Sequence, residues 1–176
     1  MFKPLLAGLL LAFTSLACQA KTTTESAGDI LRFAIPAAAV GTTLLKEQGN
    51  EGLIQFSKAL VASQLATLAL KKSINKRRPN GKCCDAFPSG HSSMAFMGAA
   101  YLQQRYGWRY GLPAYLAASY VGYTRVQSKQ HDTSDVLAGA AIGVLSSYYF
   151  TTSYKGFTVT PVAGSHYMGL SVSGKF

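Results

Sequence analysis

Apolar residues recur at helical spacing through most of this chain, and the breaks fall at proline, glycine and polar clusters. From Asp29 to Glu47 apolar positions dominate, which predicts a helix that kinks or begins at Pro36. The Thr-rich stretch from Lys21 to Ala27 reads as a loose lead-in, and Gln48 to Glu51 as a turn. Gly52 to Ile74 is the clearest helix, with Phe56, Leu60, Leu65 and Leu68 set among Gln55, Lys58 and Gln64. Pro79-Asn80-Gly81 then opens a loop that reaches Phe87. A third helix is predicted over Ser92 to Tyr106, ended by Gly107. A fourth follows Pro113 and runs to Tyr123 or Gln127. A fifth covers Asp135 to Tyr149, with Ser134 as its N-cap and His131 in or just before its first turn.

The tail has a different period. Phe157, Val159, Met168, Leu170 and Val172 alternate with Thr, Ser or Gly around a break at Pro161 to Ser165. Residues 157–176 therefore predict a short β-hairpin-like tail packed on the helices. The expected fold class is all-α, a compact bundle of about five to six helices, with no internal repeat and no second domain.

Residues 1–20 look like a leader: Lys3 supplies the charged start, Leu5 to Leu16 the apolar run, and Ala20 a small residue for cleavage. Leu16-Ala17-Cys18 offers a competing lipoprotein-type cleavage, ranked second because Ser15 departs from that pattern. An uncleaved anchor ranks third, the apolar run being short. Residues 21–176 are then one exported domain in the bacterial periplasm. The helical stretches look short for membrane spans or carry Arg32, Lys58, Gln64 or Arg109, so peripheral membrane association is expected rather than a multi-pass architecture.

Lys and Arg outnumber Asp and Glu by 17 to 7, a formal charge of +10, which selects anionic partners. Lys71, Lys72, Lys76, Arg77, Arg78 and Lys82 crowd one short run, readable alone as a solvated face or a nucleic-acid patch, with the four besides Lys71 and Arg78 able to attract an anionic substrate or lipid headgroups. Cys83 and Cys84 are adjacent and lack ligand partners at zinc spacing. Free thiols, a strained vicinal bridge and an intermolecular link all remain open.

The chemistry concentrates in three segments: Lys71 with Arg78-Pro79, then Pro88-Ser89-Gly90-His91, then Arg125, His131 and Asp135. Arginines present planar paired donors to phosphate oxygens, and Lys71 adds a mobile charge. If His91 opens a helix, Ser89 and Gly90 can add backbone N–H donors for an anion. His131 and Asp135 are spaced i, i+4, so on one helix they share a face. A carboxylate on one imidazole nitrogen would leave the other free as a nucleophile, and His91 would then serve as the acid. His166, Tyr123, Arg105 and Trp108 have no such support.

This pattern resembles the type 2 phosphatidic acid phosphatase superfamily, which includes bacterial class A acid phosphatases, membrane lipid phosphatases and vanadium haloperoxidases. The resemblance spans Lys71 to Asp135 and departs only at Thr124, where the family usually has Ser; the hydroxyl is kept. It implies a metal-independent phosphohydrolase with no cofactor, in which Lys71, Arg78, Ser89, Gly90 and Arg125 bind phosphate. His131 attacks to give a phosphohistidine, Asp135 orients it, and His91 protonates the leaving oxygen. The expected substrate is a lipid phosphate or pyrophosphate, with a soluble phosphomonoester as the alternative. An anionic membrane surface is the second expected partner; no nucleic acid is expected, and the residues leave the oligomeric state open. Two further classes were weighed: a vanadium-dependent haloperoxidase, usually a much larger protein, and a non-catalytic binding module. The second explains the charge run but not the ordered histidine segments.

Overall fold

The computed structural model describes residues 23–154, 156–164 and 167–175. The leader expected at 1–20, His166 and Phe176 lie outside the described residues. Five helices form the body: α1 (Thr23–Lys46), α2 (Glu51–Ser73), α3 (Gly90–Tyr106), α4 (Trp108–Gln127) and α5 (Thr133–Phe150). Strands β1 (Gly156–Gly164) and β2 (Tyr167–Lys175) pair antiparallel, from Gly156 opposite Lys175 to Gly164 opposite Tyr167. The two residues joining them lie outside the described ones, and packing of the strands on the bundle has no counterpart among the described residues.

Three boundaries differ from expectation. Helix α1 begins at Thr23, so the supposed lead-in is helical, and Pro36 lies inside it rather than starting it. Helix α4 begins at Trp108 and contains Pro113 in its second turn. Helix α5 is capped by Asp132, not Ser134: the Asp132 side chain takes the N3 N–H, and Asp135 reaches back to the Asp132 N–H at 2.9 Å.

Helix α3 is the hub and packs against the other four. Its small residues make that feasible, with Ala95, Ala99 and Ala100 fully buried beside Met97 and Tyr101. The Tyr101 ring meets Phe56 of α2 edge-on at 5.1 Å, while its hydroxyl reaches Thr43 of α1. Helix α5 approaches so closely that a Cβ at Gly139 would lie 2.3 Å from the Ser89 carbonyl oxygen. At the end of the bundle away from the histidines, Arg105 forms a paired contact with Glu47, both 2.6 Å, and donates to Gln55 and the Thr152 carbonyl. This joins α1, α2, α3 and the segment after α5.

Helices α1 and α2, of 24 and 23 residues, are long and apolar enough to cross a membrane, with mean hydropathy of 1.3 and 1.4. At 1.5 Å per residue each is roughly 35 Å long. The expectation of short helices is therefore corrected for this pair. Only 28% and 22% of their apolar windows are buried in the bundle, and Ile30, Phe33, Val61 and Leu65 face outward. Outward apolar faces of this extent suggest membrane association.

Candidate active site

The ends of α1, α2 and α4, the start of α3 and the loops at 74–89 and 128–132 enclose a cleft of about 800 Å³. Lys71, Arg78, Gly90, His91, Arg125 and His131 all line it, so six of the eight residues named from sequence converge on one wall-to-wall space. The other two, Ser89 and Asp135, are fully buried behind it.

His131 sits one residue ahead of the cap of α5, outside the helix, yet still comes within ion-pair reach of Asp135 four residues on. Its Nδ1 lies 2.6 Å from the carbonyl oxygen of Ala86 and 3.8 Å from the nearer Asp135 oxygen. A carbonyl can only accept, so Nδ1 carries the proton and Nε2 keeps its lone pair. Burial, together with the charges of Lys71 and Arg78, lowers the His131 pKa to about 4, against the opposing pull of the Ala86 bond and Asp135. The ring is thus neutral at ordinary pH and suited to attack.

Asp135 has other work. Its carboxylate takes the Lys76 ammonium at 2.6 Å and the Asp132 N–H at 2.9 Å. Lys76 also pairs with Asp132 at 2.9 Å, so this member of the basic run is a structural clamp and not a surface attractor. Asp135 thus anchors the loop that carries His131 while standing within 3.8 Å of its ring.

Ser89 also differs from expectation. As N-cap of α3 its hydroxyl accepts from the Ser92 N–H and hydroxyl, while its own N–H donates to the Asp135 carbonyl at 2.9 Å. That N–H is not available to an anion. The free donors of the helix end are those of Gly90 and His91, the first two helical positions.

The cations are held by protein oxygens. Arg78 grips both oxygens of Asp85, at 2.8 and 2.9 Å, and donates to Gln130. That hydrogen-bonded pair holds the Asp85 carboxyl below its usual range, against the burial that would raise it. Lys71 donates to the Asp85 carbonyl. Arg125 donates to Asp29 at 2.9 Å, the Glu25 carbonyl at 2.8 Å and Thr124 Oγ1 at 3.1 Å. The Thr124 hydroxyl therefore does hold the arginine, as a serine could.

His91 bonds through Nε2 to the same Asp29 oxygen at 2.8 Å. Burial first, then Arg125 and Arg32, lower its pKa to about 4, with Asp29 acting in the opposite sense. Asp29, Arg32 and Glu25 of α1 were missed in the sequence because they lie far upstream of every motif and at no diagnostic spacing. Cys83 and Cys84 bring their sulfurs together in the loop beside Asp85. Among the described residues no cluster of three or more His, Cys, Asp or Glu is placed to hold a metal ion.

A family model described as the PAP2 superfamily matches residues 52–158, more than half of the chain. The chain belongs to the PAP2 superfamily. This PAP2 chain is 32% identical over 142 residues to a lipid A 4'-phosphatase of Helicobacter pylori, an alignment covering 74% of this chain and 71% of that protein. It is 40% identical over 78 residues to a lipid A 1-phosphatase of Porphyromonas gingivalis, covering 43% of this chain but only 18% of that protein. Among solved structures, Aquifex aeolicus LpxE superposes with a TM-score of 0.56 at 22% identity, covering 74% of this chain and 87% of that one. That likeness supports the helical PAP2 fold.

Proposed function

We propose that this PAP2 phosphatase removes a terminal phosphate from a lipid phosphate, such as a phosphorylated lipid A-type glycolipid, through a phosphohistidine on His131. The observation that carries the mechanism is the Ala86 bond, which leaves His131 Nε2 unprotonated in a cleft lined by Lys71, Arg78 and Arg125. The relatives named as lipid A phosphatases and the outward apolar faces of α1 and α2 support a lipid substrate over a soluble ester.

Phosphate binds by exchanging Asp29 and Asp85 oxygens for its own on Arg125 and Arg78, helped by the Gly90 and His91 N–H groups. His131 Nε2 attacks phosphorus; the bond to the leaving oxygen breaks and its electron pair takes the proton of His91. The arriving dianion offsets Arg125, raising the His91 pKa so that it can hold that proton. Water then attacks the phosphohistidine and gives its proton to His91. Inorganic phosphate leaves and His131 is regenerated. The fixed cations stabilise the charge that develops on the equatorial oxygens. With the leader at 1–20, this activity belongs on the periplasmic side of a membrane.

The test is phosphate release by the full chain and by His131→Ala, on matched soluble and detergent-dispersed lipid phosphates, with and without chelator. Histidine-dependent, chelator-insensitive turnover that is faster on lipids supports the proposal. Faster turnover of soluble esters makes the enzyme a scavenging phosphatase. Undiminished activity in His131→Ala overturns the mechanism.

A further inference from the structure

Arg32 is a charge that the mechanism above does not use. It lies on α1, outside the residues matched by the family model, and lines the cleft. Lys76, Arg78, Arg105 and Arg125 each have a carboxylate within ion-pair distance. Among the described residues Arg32 has none. Its Nε is buried without any partner, and its Nη1 lies 3.4 Å from His91 Nδ1. The guanidinium is steadied 4.2 Å above the Phe33 ring. A buried N–H left unmade costs about 1–3 kcal/mol, so its place beside a cleft that binds anions calls for a ligand.

The cleft has two cationic poles. Lys71 and Arg78 bear on the nucleophile His131, whereas Arg125 and Arg32 bear on the acid His91. The transferred phosphoryl must sit against His131, which places the leaving group at the second pole. A neutral alcohol there leaves Arg32 without an anion. A phosphate there satisfies it, because its oxygens match the planar donors of a guanidinium.

We propose that Arg32 is a specificity-determining residue that binds an anionic leaving group, making diphosphate esters the preferred substrates over monophosphate esters of the same alcohol. The inference rests on the phosphatase reading above and names its substrate class. In the step itself the bond from His131 Nε2 to the terminal phosphorus forms and the terminal P–O bond to the bridging oxygen breaks. The electron pair stays on the leaving monophosphate, which takes the His91 proton, and Arg32 holds its remaining oxygens.

The experiment compares a prenyl diphosphate with the prenyl monophosphate of equal chain length, using the full chain in detergent micelles. Arg32→Gln lowers the ratio of kcat/KM for diphosphate over monophosphate by about tenfold or more, and Arg32→Lys recovers part of it. Equal losses on both esters, or no change in the ratio, overturn the proposal. A second readout needs no turnover: binding of methylenediphosphonate against methylphosphonate. The wild type favours the diphosphonate by about tenfold, and Arg32→Gln erases that preference. A wild type without preference overturns the proposal even if both esters are hydrolysed. Should neither ester be hydrolysed in a His131-dependent way, the phosphatase reading fails, while the phosphonate comparison still decides the role of Arg32.

Discussion

His131 is oriented by a backbone carbonyl: its Nδ1 is 2.6 Å from the Ala86 oxygen, and the nearest Asp135 oxygen is 3.8 Å away. The roles of the two residues should therefore separate experimentally. His131→Ala is expected to lower kcat by about a thousandfold or more, with little change in stability. Asp135→Asn removes one of the two carboxylate partners of Lys76 and weakens the capping box, so it should destabilise the fold by about 2–4 kcal/mol. At a temperature where it remains folded, Asp135→Asn should keep far more turnover than His131→Ala. Melting curves and kcat measured together check this. An unaltered melting temperature with full loss of turnover in Asp135→Asn would show that the carboxylate acts on the imidazole directly.

Acid should unfold this protein earlier than a pair of ordinary histidines would allow. Both His91 and His131 titrate at about 4 in the fold and at the usual 6.5 when unfolded. Between those values the unfolded chain binds more protons, so stability rises with pH through that window and is lost as pH falls from 6.5 towards 4. Each shift corresponds to at most about 3 kcal/mol. Denaturant midpoints measured from pH 7 to pH 4 should fall steeply, and His131→Gln should flatten the curve. An unchanged slope in that variant would refute the shift.

Gly28 acts as a spacer at the site. A Cβ at Gly28 would stand 2.0 Å from Thr124 Oγ1 and 2.7 Å from Arg125 Nη2. Gly28→Ala should push α1 off α4, destabilise by about 1–3 kcal/mol and lower kcat/KM through the displaced Arg125. Gly41, on the same helix, has nothing within 4 Å of its would-be Cβ. Gly41→Ala should stabilise by about 0.4–1 kcal/mol and leave kcat/KM unchanged. Equal effects of the two substitutions would refute the close α1–α4 approach.

The Arg105–Glu47 pair is nearly inaccessible, with side-chain exposures of 2% and 3%. Removing one partner strands the other charge, so Glu47→Ala or Arg105→Ala should cost about 3–5 kcal/mol. A double substitution to apolar residues should cost less than the sum. Chemical denaturation of the three variants forms the cycle, and strict additivity would argue against direct coupling.

The three segments, two of them bearing a histidine, were readable because together they resemble one family's pattern. A lysine, an arginine, a histidine, a second arginine and a second histidine follow in that order, and the structure brings all five to one cleft. Five helices were readable from apolar periodicity, since the other four each bury one face against α3. The partners of those groups were not readable. Asp29 meets His91 and Arg125 only because α1 folds back across α3 and α4, a contact made over 62 and 96 residues of chain. The Ala86 carbonyl that orients His131 has no side-chain signature, every residue having a carbonyl. The i, i+4 spacing of His131 and Asp135 did bring them to 3.8 Å, but α5 starts only after the cap at Asp132, and Nδ1 takes the nearer Ala86 oxygen. Sequence determined which charged and nucleophilic groups exist and roughly which helices carry them. Tertiary packing alone decided which oxygen each donor meets, because those hydrogen bonds act over about 3 Å between atoms that the chain order leaves far apart.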